Sequence, residues 1–355
     1  MNHTTEDNIT VKKNAGSRIH EVDFNNLVFG KTFTDHMFEC DYKDGAWTQP
    51  VIRPYGPLTI SPAAKVFHYG QAVFEGMKAY KDDEGGVFLF RPEENFKRIN
   101  TSSKRMAIPE FPRHLFFEAL HKLMELDRDW IKPGAGNSLY IRPFVMATEA
   151  GVSASPSTEY KFMILLCPVN AYYTGDVKVV IAEKFSRSAN GGVGFAKAAG
   201  NYGAQFYPTN LAREKGFQQV IWTDANTHEY LEEAGTMNVF FRINDTLITA
   251  PTGDRILDGV TRKSVIALAK KDGITVEERP LSVTELVKAA KEGSLKEIFG
   301  SGTAAVISPV SAFGYKDDVY DIAKVEDSYA VRFKKTLNDI QYNRSEDPFG
   351  WRYKV

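Results

Sequence analysis

Hydrophobic positions along the chain switch repeatedly between short continuous runs and a 3.6-residue spacing, which predicts interleaved strands and helices. VFLF at 87–90 reads as a buried strand. RPEENFKRIN follows it, where Pro92 suits a first helical turn and Phe96 and Ile99 share a face. A second helix is predicted over 113–127, where Leu115, Ala119, Leu120, Leu123 and Leu126 form an apolar stripe, and KFMILLC at 161–167 is a further buried strand. The pattern then breaks at PVNAYYTGD (168–176), whose Pro, Asn and Gly mark a domain boundary. Beyond it, VKVVIAE (177–183), QVIWT (219–223) and VFFRI (239–243) read as strands. TRKSVIALAKKDG (261–273) reads as a helix ended by Gly273, and Tyr329, Phe333, Leu337 and Ile340 lie on one face of a last helix. The expectation is a mixed α/β fold with domains at 1–168 and 177–355, joined by 169–176.

Composition narrows the function classes. With 43% hydrophobic residues in 355, the chain has enough apolar surface for two packed domains. Its 44 basic and 45 acidic residues leave a net charge of -1, without the basic excess of a nucleic-acid surface. The polar start has no signal-peptide core, and no run reaches the roughly 18 apolar residues of a membrane span, so a cytoplasmic protein is expected. Cys40 and Cys167 form no CxxC pair and the seven histidines form no HExxH, so no metal site is expected. Neither a P-loop nor a GxGxxG between strand and helix is present.

Three segments offer an anion site. GSGTA (300–304) follows the strand-like EIF (297–299) with small residues and the Thr303 hydroxyl. GVTRKS (259–264) places the N–H groups of Val260 and Thr261 at the start of a helix, and Arg98 supplies a guanidinium. For chemistry, GGVGFAKAAGNYGAQ (191–205) sets Lys197 among Gly, Ala and Phe with no acid within five positions. Desolvation there favours a neutral, nucleophilic amine, although a surface lysine on a glycine-rich loop fits the segment at least as well. Tyr202 lies five residues on. EEAGTMNVF (232–240) leads from acids into a Gly turn and a strand. A carboxylate of this pair, buried against a pyridine nitrogen, would keep that nitrogen protonated, while a solvated turn glutamate is the plain alternative. FHYGQAVFEGMKAY (67–80) brings Tyr69, Phe74 and Tyr80, which suit a pocket wall or ordinary core.

Taken in order, FGKTFTDHMF (29–38), HYGQAVFEGMKAY (68–80), LFRPEENFKR (89–98), LYIRPFV (139–145), KAAGNYG (197–203), EEAGTMNVFF (232–241), GVTR (259–262) and FGSGTAAVISPV (299–310) resemble the branched-chain amino acid aminotransferases. These are pyridoxal-phosphate enzymes of fold type IV. The resemblance implies a smaller N-terminal α/β domain and a larger cofactor-binding C-terminal domain containing a pseudo-barrel. It implies reversible amino transfer from L-leucine, L-isoleucine or L-valine to 2-oxoglutarate, by a ping-pong cycle through pyridoxamine phosphate.

Residue by residue, the resemblance makes Lys197 the Schiff-base lysine and general base, Glu233 the acid on the pyridine nitrogen, and Tyr202 the neighbour of the cofactor's ring oxygen. Arg98, Val260, Thr261 and Thr303 take the phosphate, and Thr236 and Ala304 the substrate carboxylate. Phe29, Tyr69, Phe74, Tyr140 and Arg142 line the pocket and its rim, and Tyr172 sits in a partial cover. Tyr69 and the loop near Val152 complete the neighbouring subunit's site, implying a homodimer. Mammalian members carry a redox-responsive CxxC after GTA, where this chain has Ala305 and Ser308. A D-amino acid aminotransferase, an aminodeoxychorismate lyase and a pyridoxal-phosphate binder without turnover are the rival readings.

Overall fold

The computed structural model describes residues 8–170 and 177–355. Tyr172 and most of the expected connector lie outside the described residues. The described chain divides into two compact units, 8–170 with 340–355 and 177–339.

The first unit contains β1 (Thr10–Val11), β2 (His36–Lys43), β3 (Ala46–Pro54), α1 (Lys65–Tyr69), β4 (Ala72–Phe74), β5 (Met77–Lys81) and β6 (Val87–Phe90). It continues with α2 (Pro92–Arg105), α3 (Arg113–Leu126), β7 (Ser138–Ala147) and β8 (Tyr160–Val169). Its sheet runs β1-β3-β2-β8-β7-β5-β6 and ends on the strand Arg352–Lys354, with β4 paired to β7. Residues 340–355, expected with the second half of the chain, thus pack with the first unit. The long apolar runs of β7 and β8 pair antiparallel over their whole length, from Ser138↔Val169 to Ala147↔Tyr160. The predicted stripe of α3 is buried at Leu115, Ala119, Leu120 and Leu123, in one cluster with Phe38, Ile52 and Phe162. Phe111 and Phe162 stack there with centroids 3.7 Å apart.

The second unit contains β9 (Val177–Ile181), α4 (Ala199–Gly203), α5 (Phe206–Glu214), β10 (Gln219–Thr223), β11 (Leu231–Ala234), β12 (Asn238–Ile243) and β13 (Thr246–Thr249). After these come α6 (Val260–Lys271), β14 (Val276–Glu278), α7 (Val283–Lys291), β15 (Leu295–Gly302), β16 (Val306–Tyr315), β17 (Asp318–Asp321) and α8 (Tyr329–Gln341). Its mixed sheet runs β11-β10-β9-β16-β15-β12-β13-β14, with β17 on β16. Helix starts have identifiable causes. Ser282 Oγ accepts the Glu285 N–H at 3.0 Å to open α7, and Glu297 accepts the N–H groups of Tyr329 and Ala330 at the positive end of α8.

Two predicted turns are tighter than expected. The strand β15 continues through Gly302, because Ser301 and Gly302 pair with Ile307 and Val306 of β16, leaving only 303–305 as the turn. Glu232 and Glu233 lie inside β11 rather than in a solvated turn.

Replacing Phe162 with Ala removes the ring at the centre of the first unit's core. We expect a loss of about 3–5 kcal/mol, read as a lower urea midpoint.

Candidate active site

The second unit brings together most of the residues singled out for chemistry. Lys197 stands two residues before α4, half-buried, and its Nζ donates to the Tyr202 hydroxyl at 2.7 Å. The short helix α4 creates that contact by turning the chain back between the two residues. Its Asn201 amide donates to the carbonyls of Val193 and Ala196, fixing the loop that carries Lys197.

Both acids of β11 are buried, and adjacent strand residues point to opposite faces. Glu233 lies 2.7 Å from the guanidinium of Arg187. It also accepts from the Asn238 amide at 3.0 Å and from the Leu257 N–H at 3.2 Å. Asn238 in turn donates to the Leu257 carbonyl, which ties the acid to the segment just before α6. Glu232 pairs with Arg255 at 2.9 Å. Burial pushes the Glu232 carboxyl up to about 7, against the pull of Arg255 and with repulsion from Glu233 and Asp224 adding to it. The turn entering β11 is held by Asp224. Burial of that carboxyl is outweighed by the N–H groups of Tyr230, Thr227 and Glu229, which bring it down to about 2.

The anion segments fall in the same unit. Gly259 caps α6, so the N–H groups of Val260 and Thr261 occupy its first turn. A Cβ at Gly259 would lie 2.0 Å from Asn238 Oδ1, so only glycine lets the helix start sit against the residue that holds Glu233. Thr303 and Ala304 form the turn after β15. The β11–β12 turn bearing Thr236 lies beside it, since a Cβ on Gly302 would sit 3.2 Å from the Thr236 carbonyl. Ser301, buried on β15, has a hydroxyl without a hydrogen-bond partner.

The remaining candidates belong to the first unit. Phe29 meets Tyr140 edge to face at 5.0 Å. Arg142 donates to the Tyr140 hydroxyl at 2.9 Å and lies over the rings of Phe74 and Tyr140. A Cβ at Gly76 would fall 2.0 Å from the Tyr140 hydroxyl, so that glycine makes room for the ring. Tyr69 is exposed and its hydroxyl donates to the Val152 carbonyl, joining two residues expected in one place. Arg98 is held by the fully buried Glu75, to which Nε and Nη2 donate at 2.6 and 2.9 Å. Among the described residues no group of three His, Cys, Asp or Glu is placed to hold a metal, and no helix is long and apolar enough to cross a membrane.

The amino-transferase class IV family model matches residues 72–313, which include both Lys197 and Glu233. The chain is 45% identical to branched-chain-amino-acid transaminase 1 of Bacillus subtilis (strain 168) over 94% of this chain and 95% of that protein. The chain belongs to the branched-chain aminotransferase family. It is also 47% identical to a probable branched-chain-amino-acid aminotransferase of Staphylococcus epidermidis (strain ATCC 12228), over 93% of this chain and 94% of that one. Among solved structures, the T.th. branched-chain amino acid aminotransferase complexed with N-(5'-phosphopyridoxyl)-L-glutamate superposes with a TM-score of 0.71 at 25% identity. It covers 88% of this chain and 97% of its own. The protein is therefore a transaminase of the fold-type IV architecture.

Arg187, Arg255 and Asn238 were not foreseen. FSRSAN around Arg187 has no special spacing, and only the buried acids opposite reveal what these residues do.

Because the folded Glu232 carboxyl holds its proton to higher pH than its unfolded counterpart at about 4.5, the native state binds the extra proton between those values. Stability from this group is present below about 4.5 and is lost as pH rises toward 7. Glu232→Gln should therefore remove roughly 1–3 kcal/mol of the decline in unfolding free energy between pH 4.5 and 8, measured by urea titration against the parent.

Proposed function

We propose that the enzyme uses pyridoxal 5'-phosphate, carried by Lys197, to move the amino group of L-leucine, L-isoleucine or L-valine to 2-oxoglutarate, in ping-pong fashion through the pyridoxamine form. The observation that carries this reading is an amine and a buried carboxylate fixed in one unit, with a glycine-opened helix start against the residue that orients the acid. The donor set fits the cofactor: an amine for its aldehyde, a carboxylate for its ring nitrogen, and N–H and hydroxyl groups for its phosphate. When bound, the cofactor supplies the electron sink that makes the substrate Cα–H acidic.

The chain's own groups do the rest. Lys197 would take the proton from the substrate Cα and, as the protonated amine, serve as the acid that gives it back. Tyr202, already hydrogen-bonded to Lys197, orients that amine and would stand beside the cofactor's ring oxygen. Glu233 would keep the ring nitrogen protonated, and Val260, Thr261 and Thr303 would hold the phosphate. Thr236 and Ala304 receive the substrate carboxylate. Phe29, Phe74 and Tyr140 supply an apolar slot, in which a branched side chain gains roughly 1.5–3 kcal/mol. Arg142 serves the distal carboxylate of glutamate. Hydrophobic slots separate single methylenes poorly, so Leu, Ile and Val should compete within about one or two orders of magnitude. We further propose a cytoplasmic homodimer in which Tyr69 and the loop at Val152 serve the partner's pocket.

The test is a coupled assay across L-leucine, L-isoleucine, L-valine and D-alanine with 2-oxoglutarate, alongside the absorbance of bound cofactor. Turnover of the branched L-amino acids is expected, and turnover confined to D-alanine would defeat the substrate assignment. Lys197→Ala should lower transamination by at least about 100-fold and abolish covalent cofactor attachment, seen by mass spectrometry after borohydride reduction. Unchanged activity in that variant refutes the role of Lys197.

A further inference from the structure

Arg187 lies in the segment between β9 and α4, and its side chain is only 3% exposed. Its guanidinium does three things at once. Nη1 sits 2.7 Å from the Glu233 carboxylate. Both Nη atoms donate to the Gly194 carbonyl at 3.1 Å, three residues before Lys197. Nη1 also donates to the Arg255 carbonyl at 2.9 Å, two residues before the N–H that Leu257 gives to Glu233.

We infer that Arg187 is a positioning residue for transamination, locking the lysine-bearing loop and the Glu233 carboxylate into one hydrogen-bonded unit. The inference rests on reading Lys197 and Glu233 as the cofactor's amine and acid partners. It extends that reading to a residue that touches neither substrate nor cofactor.

Three observations set Arg187 apart from an arginine that merely satisfies loop carbonyls. First, the two loops it joins are in backbone contact. A Cβ at Gly194 would lie 2.4 Å from the Arg255 carbonyl oxygen, and the Phe195 N–H donates to the Asp254 carbonyl at 3.0 Å. The Gly191 N–H adds a bond to the Asp254 carboxylate at 3.0 Å. Any shift of the Glu233 side is therefore transmitted to the Lys197 side. Second, the arginine faces a buried acid. Removing one member of a buried pair leaves an uncompensated charge, and such a carboxylate recovers by taking up a proton. A protonated Glu233 no longer stabilises a proton on the ring nitrogen. Third, two nitrogens share the job: Nη1 lies within reach of Glu233, Gly194 and Arg255, and Nη2 adds a second bond to Gly194, a two-nitrogen grip that the single nitrogen of a lysine reproduces only in part.

The strand β11 is thus gripped on both faces by arginines that are themselves linked. Arg255 pairs with Glu232 through its side chain and takes the Arg187 bond on its carbonyl.

The test compares the parent with Arg187→Met, Arg187→Lys, Glu233→Gln and the double variant Arg187→Met/Glu233→Gln, each loaded with pyridoxal 5'-phosphate. Three readouts are taken: the borohydride-trapped adduct on Lys197, the pH midpoint of the bound cofactor's absorbance band, and kcat and KM for L-leucine. Arg187→Met is expected to keep the Lys197 adduct and to move the band's midpoint by at least about half a pH unit. It should lower kcat about 10- to 100-fold while KM changes less than about threefold. Arg187→Lys should recover part of both effects. In the Glu233→Gln background, the midpoint shift caused by removing Arg187 should vanish.

An unchanged midpoint in Arg187→Met, or the same shift and kcat loss whether or not Glu233 is present, overturns the inference. Should Arg187→Met fail to fold, the neutral Arg187→Gln is compared with the parent, where an unmoved midpoint again overturns it. A parent protein that gives no adduct on Lys197 defeats the reading of Lys197 itself, which is a separate outcome.

Discussion

Two neighbouring carboxylates on one short strand, both removed from water, dominate the physics of the second unit. A four-residue strand cannot turn both to solvent, because its side chains alternate faces and both faces are covered. Each acid therefore requires its own cation, Arg187 for Glu233 and Arg255 for Glu232. Those arginines come from two loops, the one carrying Lys197 and the one leading into α6. Charge compensation on β11 thus dictates where the amine and the helix start must sit. The two acids are not treated alike. Glu233 meets the Arg187 guanidinium and accepts from the Asn238 amide and the Leu257 N–H, whereas burial raises the Glu232 carboxyl against the pull of Arg255. One strand thus holds a hydrogen-bonded acid and one whose carboxyl burial pushes up, side by side.

Glycine governs the approach of backbone segments in the same unit. Gly194 and Gly259 each stand where a Cβ would collide, the first with the Arg255 carbonyl and the second with Asn238. Their role is proximity rather than flexibility, since neither has a positive φ. In the first unit Gly76 does the corresponding service for Tyr140, whose hydroxyl occupies the space of a missing side chain. Arg142 and Phe29 then pack around that ring.

Much of this was legible in the residues. Long apolar runs such as VFLF and QVIWT became β6 and β10 at their expected limits, and the stripe on α3 faced inward, because burial of periodic apolar residues leaves few alternatives. The candidate lysine, acid and anion segments stood out mainly through their order along the chain. Taken alone, the 191–205 segment fitted a surface lysine, and the glutamates fitted a solvated turn. What stayed hidden was pairing over distance. Nothing near Arg187 announces a carboxylate forty-six positions away, nor does Glu75 in VFEGM announce that it holds Arg98 through two hydrogen bonds. The strand at 352–354 was likewise hidden, because RYK is too short to read as a strand until its partner β6 is known.

That strand has a consequence for biogenesis. The sheet of the first unit is completed by Arg352↔Phe90 and Tyr353↔Leu89, with Trp351 packed on Phe90 and the Tyr342 hydroxyl bonded to the Asn137 carbonyl. Residues translated early therefore wait for residues translated much later. While the ribosome is still making the intervening segment, β6 presents an unpaired edge next to the nascent core, the kind of exposed template that chaperones shield. Only after residues 351–354 leave the exit tunnel does that edge close, so the first unit finishes folding after the whole of the second has been made.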